Sequence, residues 1–378
     1  MTDAPRPISD IAPSPSGRHE PLAAQPRETG GKHTGVDYAP HRRIASGRFA
    51  HAVARARERS VVRLYRGASF TLGHTTTRVT EPAARAVSLG SYLAWRSKRR
   101  IVQANASHIM GLPVGDRAVR ELARRTYASY SRFVVELMRL PSRPADEPLR
   151  LLPPTGPAHA AFEAVWARCQ AEGRGLIAAS GHIGSIEIFA GSYALQGVPT
   201  FGLADDTAYP ELFELLNSQR ARWGVRIIGW RNLREIYRVL RGSPAALGMV
   251  VDWGYRPEDV PVRLFGAWTT LPAGPATLAA RTGAIVLPVA AYHRGDDGGY
   301  RHVTAPPLEV PDTSPRSIAI ATQSIADALE SFVRAAPEQW HTFKPMWPAT
   351  EAEARSLEAR AMGMLADDAP SRARGRDG

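Results

Sequence analysis

Cysteine is almost missing from this chain: Cys169 is the single one among 378 residues. No intrachain disulfide can form, and a structural zinc site built on cysteines is excluded. A reducing, cytoplasmic setting fits that usage. Cys169 lies in the helix-like run AFEAVWARCQAEG and reads as a buried, inert thiol. Long apolar runs are missing too: no stretch of about 18 or more uncharged apolar residues occurs, so no transmembrane helix is expected. The N-terminus lacks the basic-then-apolar layout of a secretory signal. Neither G-x-G-x-x-G nor a Walker pattern follows a strand-like run, and G-x-S-x-G is absent, which argues against nucleotide-cradling loops and an α/β-hydrolase elbow. Gly295 to Gly299 (GDDGG) lacks the spaced oxygen ligands of a calcium loop and reads as a hairpin turn. No helix-turn-helix, zinc-finger or RNA-binding signature is visible, so nucleic acid is not an expected partner, and no metal is expected.

Acidic residues are outnumbered. Against 48 Lys and Arg stand 36 Asp and Glu, a net charge of +12. That balance suits anionic partners, whether nucleic acid, an anionic membrane face or phosphorylated small molecules, and equally a plain compositional bias toward arginine; charge alone does not choose. The 44% hydrophobic content suffices for a sizeable core. Residues 1 to 45, rich in Pro, Ser, Gly, Arg and His without apolar period, are expected to be a disordered arm. Residues 46 to 140 are basic and helical in pattern. Arg55, Arg57, Arg59, Arg63, Arg66, Arg96, Lys98, Arg99 and Arg100 stand among Tyr65, Phe70, Tyr92 and Trp95. They form either an interfacial surface held by anionic lipid or a solvated helix face. Asp116 to Leu140 predicts one long helix whose aromatics, Tyr127, Tyr130 and Phe133, read as core. Pro141 to Pro157 reads as a proline-rich linker. Beyond it, strands at Thr200 to Ala204, Arg226 to Ile228, Ala246 to Val251, Ile285 to Tyr292 and Tyr300 to Thr304 alternate with helical stretches. Alternation of that kind predicts an α/β fold with a largely parallel sheet flanked by helices, behind an N-terminal helical layer.

The stretch with chemistry in it is Leu176 to Ala190, LIAASGHIGSIEIFA. It reads as a strand, a tight turn around His182 and the start of a helix that carries Glu187. Side chains at the carboxyl end of such a strand project into the crevice where open α/β sheets bind ligands. Two residues five apart within one helix point roughly 140° apart, so a His182–Glu187 pair requires His182 to precede the helix. The backward lean of helical side chains then aims the carboxylate at the imidazole, fixing its tautomer and leaving the other nitrogen as a base. The neutral alternative is a partly buried histidine satisfied by its neighbours.

SGHIGSIE resembles the His-x-x-x-x-Asp/Glu signature of the lysophospholipid acyltransferase superfamily, in the form found in lipid A lauroyl/myristoyl and phosphatidylinositol mannoside acyltransferases. SKRRIVQANASHIMG resembles that family's basic helix ending in an asparagine. Arg231 to Tyr255 is similar to its block of an arginine, a helix, a glycine, a strand and an acidic residue. Val262 to Arg294 resembles its Phe-Gly, small-residue helix, Thr-Gly-Ala and Leu-Pro-Val succession, and PEQWHTFKPMWP its Pro-Glu-Gln-Trp close. The likeness covers about residues 60 to 348. It implies an acyltransferase core over 158–348, followed over 349–378 by a C-terminal helix and a disordered tail.

The resemblance implies transfer of a fatty acyl group from an acyl thioester, acyl-CoA or acyl carrier protein, to a hydroxyl of a lipid or glycolipid, with no cofactor beyond that co-substrate. His182 is the expected general base and Glu187 its orienting partner. Backbone N–H groups near Gly184 and Ser185 are candidates for the oxyanion. Arg231 and Arg234 are candidates to hold phosphate or substrate, and Asp252 to line the far wall of the cleft. Trp253 stands where lipid A enzymes commonly carry glutamine, so the acceptor is not copied from them. The expected location is the inner face of the cell membrane, held peripherally. An acyl-thioester hydrolase using the same dyad and a non-catalytic basic binding protein are the other readings.

Overall fold

The computed structural model describes residues 48–204, 210–295 and 298–366. The arm expected over 1–45 and the tail from about 367 lie outside the described residues, as do two residues of the turn at 295–299. Four helices come first: α1 (Arg48–His74), α2 (Thr77–Ala94), α3 (Arg96–Met110) and α4 (Arg117–Arg139). Asp116 caps α4 by accepting the Ala118 amide at 2.7 Å, which satisfies an otherwise orphaned donor. Val119, Leu122, Ala123 and Tyr127 form the buried stripe of α4. The remaining aromatics of α4 differ from expectation: Tyr130 is partly exposed, and both Tyr130 and Phe133 lie beside the ring of His341. The buried apolar stripe lies one turn further back, where Ala123 and Tyr127 pack with Val102 of α3 and Tyr92 of α2.

The segment from Pro141 to Pro157 carries a 3-10 turn (Leu140–Ser142) and the short helix α5 (Glu147–Leu151), with Pro148 buried against α7 (Ile186–Leu195) at Gly191. Helix α6 (Pro157–Glu172) then leads into β1 (Leu176–Ser180). The chain continues as β2 (Thr200–Ala204), α8 (Pro210–Ala221), β3 (Val225–Gly229), α9 (Leu233–Arg241) and β4 (Ala246–Val250). After the hairpin β5 (Val260–Leu264) and β6 (Ala267–Leu271) come α10 (Gly274–Thr282), β7 (Ile285–His293), β8 (Tyr300–Thr304), α11 (Pro315–Ala335) and α12 (Glu351–Ala366).

Six strands make one sheet in the order β3-β2-β4-β1-β7-β8, parallel throughout except for β8, which runs antiparallel to β7. β1 lies between β4 and β7, and every residue of it is buried, as the apolar run Leu176–Ala179 requires of a strand covered on both faces. One face carries Leu176, Ala178, Leu287 and Val289 against Phe162 and Trp166 of α6 and Phe189 and Tyr193 of α7. The other carries Ile177, Ala179, Leu247 and Val286 against α9, α10 and α11. Cys169 is buried in the first of these layers, and burial pushes its thiol up to about 11, as an inert thiol requires.

The β5–β6 hairpin has a sequence that conceals it. Its turn residues are Phe265 and Gly266, both at positive φ (51° and 75°), in place of the Asn-Gly or Asp-Gly that usually marks such a turn. Pro261 within β5 further weakens the strand signal. Phe265 keeps its unusual backbone because its amide donates to the Glu330 carboxylate on α11.

The helical layer and the sheet share polar ties. Asn105 on α3 is buried; it donates to the Lys344 carbonyl at 2.9 Å and accepts the Met346 amide at 3.2 Å. The asparagine that ends the basic helix motif thereby holds the segment after the Pro-Glu-Gln-Trp block.

Candidate active site

β1 ends at Ser180, and the next residues turn sharply enough to bring His182 to the carboxyl edge of the sheet. Two glycines make the turn possible. A Cβ on Gly181 would lie 3.0 Å from Asp252 Oδ2 and 2.7 Å from Leu329, so only glycine lets that carboxylate approach the loop. Gly184 has φ +55°, and a Cβ there would lie 1.9 Å from the Ala291 carbonyl oxygen.

The carboxylate that meets His182 belongs to Asp252, which follows β4. His182 Nδ1 donates to Asp252 Oδ1 at 2.7 Å, and the His182 amide donates to Oδ2 at 2.8 Å. Trp340 Nε1 donates to the same Oδ2 at 2.7 Å. Asp252 is 1% exposed, and burial alone would raise its pKa; the His182 charge and these hydrogen bonds outweigh burial and hold it below the ordinary carboxylate range. Burial likewise works to lower the His182 pKa, and the Asp252 charge and hydrogen bond outweigh it, so His182 is a stronger base than an ordinary imidazole. Its side chain is 40% exposed, and Nε2 makes no hydrogen bond to any described residue.

The expected contact between Glu187 and His182 is not made. Glu187 sits in the first turn of α7 and turns toward α8, where Arg220 grips it with two bonds of 2.8 and 2.6 Å. The backward lean of a helical side chain does not overcome a full guanidinium fork offered from the side. Glu187 therefore clamps α7 to α8 as a largely buried ion pair.

Gly184 and Ser185 lie where the sequence placed them, yet their amides are spent. Gly184 N–H donates to the Gln339 carbonyl at 3.0 Å and Ser185 N–H to the Ala291 carbonyl at 3.3 Å. The Ser185 hydroxyl caps α7 by accepting the Ile188 amide at 3.4 Å. Neither residue offers the oxyanion donor expected of it. Arg231 and Arg234 are exposed and stand after β3, which two intervening strands separate from β1, about 14 Å at ordinary strand spacing. The Arg231 guanidinium stacks on Trp230, 4.9 Å from the ring centroid. The structure does not bring these arginines into contact with His182.

Trp253, the residue after Asp252, presents its ring at 89° to His182 with centroids 5.7 Å apart. Its indole N–H is tied to the Val250 carbonyl at 2.7 Å, and the Lys344 ammonium lies over its face at 4.8 Å. Burial pushes the Lys344 pKa down to about 8. The Pro-Glu-Gln-Trp block does more than close the sequence pattern: besides Trp340 on Asp252, His341 N–H donates to the His182 carbonyl at 2.7 Å, and the Gln339 amide brackets the backbone of His293. Trp340 and His341 were not singled out from the sequence. Their one signal was their place in that block.

A buried aspartate orienting an imidazole whose second nitrogen stays open is a base arrangement for deprotonating a hydroxyl. Residues 60–348 match the family model described as bacterial lipid A biosynthesis acyltransferase. The chain belongs to that family. This acyltransferase is also 28% identical over 262 residues to the phosphatidylinositol mannoside acyltransferase of Mycolicibacterium smegmatis, an alignment that covers 67% of this chain and 81% of that protein. It is 26% identical over 279 residues to the phosphatidylinositol mannoside acyltransferase of Mycobacterium tuberculosis strain H37Rv, covering 71% and 83% of the two chains.

Two outcomes separate the carboxylates of this acyltransferase. A base works only when deprotonated, and the His182 pKa is raised, so if His182 is the base, activity should be lost as pH falls through a value above the ordinary histidine pKa of about 6.5. Asp252→Asn should move that acid limb of kcat/KM downward and cut kcat by about 10³- to 10⁴-fold, read from a pH–rate profile. Glu187→Ala leaves Arg220 buried without its partner and should cost about 3 kcal/mol of stability in urea titrations, with the acid limb unmoved. A shift of that limb in Glu187→Ala as large as in Asp252→Asn would show that Glu187 acts on His182 after all.

Proposed function

We propose that this acyltransferase moves a fatty acyl group from an acyl thioester to a hydroxyl of a lipid or glycolipid, with His182 as base and Asp252 as its orienting partner. The observation that carries the reading is the 2.7 Å bond from His182 Nδ1 to Asp252, which fixes the tautomer and leaves Nε2 of a part-exposed ring open to accept a proton. The acceptor hydroxyl gives its proton to Nε2 while its oxygen attacks the thioester carbonyl. The carbon–sulfur bond then breaks, the leaving thiolate takes the proton back from Nε2, and an ester and a free thiol result. No covalent enzyme intermediate enters the balance. The relatives named for phosphatidylinositol mannoside support a glycolipid, and within it a sugar hydroxyl, as the acceptor.

We also infer that the protein meets its acceptor as a peripheral guest on the inner face of the cell membrane. No described helix is long and apolar enough to cross a bilayer. Instead α1 and α2 expose Leu64, Phe70, Val79, Val87, Leu89 and Leu93, with Trp95 at the end of α2. Arg63, Arg66, Arg78, Arg85, Arg96 and Arg100 are exposed beside them. Exposed apolar side chains interspersed along two helices with exposed arginines suit an anionic bilayer, where each cation near the surface is worth about 1 kcal/mol.

Thiol release from palmitoyl-CoA, measured with and without a mannosylated phosphoinositide, tests the chemistry. Acceptor-stimulated release with a new ester in the lipid extract is expected, and equal release without acceptor would make the protein a thioester hydrolase. Sedimentation with vesicles tests the surface. The protein should pellet with vesicles containing phosphatidylinositol at low salt, leave them at high salt and stay free of phosphatidylcholine vesicles. Failure to bind the anionic vesicles would remove the membrane reading while leaving the chemistry at His182 in place.

A further inference from the structure

Attack on a thioester carbonyl places negative charge on its oxygen, and that charge needs a donor held in place beforehand. The backbone around the base cannot supply one. The His182 amide is bonded to Asp252, that of Ile183 to the Gly181 carbonyl, that of Gly184 to Gln339 and that of Ser185 to Ala291. The donor has to come from elsewhere in the crevice.

His341 is placed for it. Its backbone amide is bonded to the His182 carbonyl at 2.7 Å, so the two residues are held side by side at the backbone, and the His182 charge is felt at the His341 ring. Tyr130 and Phe133 of α4 pack around the ring at centroid separations of 5.7 and 5.5 Å. Its Nε2 lies 2.9 Å from Ser129 Oγ on the same helix. With the Ser129 hydroxyl donating to Nε2, the ring proton stands on Nδ1. That Nδ1 makes no hydrogen bond to a described residue. It is also not one of the buried unpartnered polar atoms, which are Tyr127 Oη and Asp259 Oδ2. Solvent therefore reaches it, although the residue as a whole is buried.

We propose that His341 is a second catalytic imidazole, a neutral one, whose Nδ1–H donates to the thioester carbonyl oxygen as that oxygen becomes an oxyanion. The proposal rests on the acyl-transfer reading. His341 keeps its proton throughout; the electron pair on the oxyanion returns to the carbonyl as the carbon–sulfur bond breaks. Neutrality suits the role, because a second cation would oppose the imidazolium that forms on His182. Burial pushes His341 down to about 3, with the nearby His182 charge adding to burial and Asp252 working against it. Ser129 and the aromatic pair also give α4 a part in the chemistry, by holding the tautomer.

Asparagine and glutamine separate the two ring nitrogens. Asparagine puts an amide nitrogen close to the position of Nδ1, and glutamine reaches the position of Nε2 and its Ser129 contact. His341→Asn should keep kcat for palmitoyl-CoA within about tenfold of wild type, while His341→Gln should lose about 10²- to 10³-fold in kcat with little change in KM. The reverse order, or wild-type kcat in both, would overturn the proposal. An independent readout is ¹⁵N NMR of the histidine-labelled wild-type protein, with the His341 signals identified by their loss in His341→Asn. A neutral ring protonated on Nδ1 and unchanged down to about pH 5 is expected, since an ordinary histidine is mostly charged there. A proton on Nε2 would overturn the assignment whatever the kinetics. If the wild-type protein releases no thiol from any thioester, the transfer reading falls, and the tautomer still decides the state of His341.

Discussion

A carboxylate with almost no exposed surface holds this site together. Asp252 takes three donors, two from His182 and one from Trp340, and the free energy of burying its charge is recovered only if all three arrive. The three residues involved come from different parts of the architecture. β1 delivers the histidine loop, β4 delivers the acid, and the block after α11 delivers the indole. The surrounding features then have a common cause: Gly181 is small so that the carboxylate can approach, and Gln339 and His341 pair with the loop at 182–184 so that Trp340 stays in register. The base strength of His182 is a product of this assembly, not of its own loop.

The alternation of strands and helices from β1 to α11 was legible in the sequence because apolar runs and helical periods follow one another at ordinary lengths. The hairpin was not, since Phe265 occupies a backbone region that bulky residues avoid and is held there by Glu330, a residue 65 positions away. The candidate active site followed the same divide. His182 was marked locally, by glycines and by a strand meeting a helix. Its partner was not, because a spacing rule finds only neighbours in sequence, and Asp252 lies 70 residues on. What joins them is that β1 and β4 are adjacent in the sheet, and strand order is written nowhere in a local pattern. Glu187 satisfied the pattern and serves a different demand, the buried junction with Arg220.

The N-terminal helices contribute more than a surface. Asn105 of α3 fixes the chain just past the indole block, and α4 lays Ser129, Tyr130 and Phe133 against His341. The face of α1 and α2 that exposes leucine, valine and arginine belongs to the same helical layer. The helical layer thus reaches His341 through α4, while α1 and α2 carry its exposed apolar and basic residues.

The position of Trp340 also sets an order of events during synthesis. Asp252 and His182 leave the ribosome well before the residue that completes the carboxylate's shell, and contacts of such long sequence separation form late. A nascent chain ending before Trp340 holds an aspartate that cannot be buried with its charge satisfied. The carboxylate at the end of β4 therefore gains its last donor only once Trp340 has emerged.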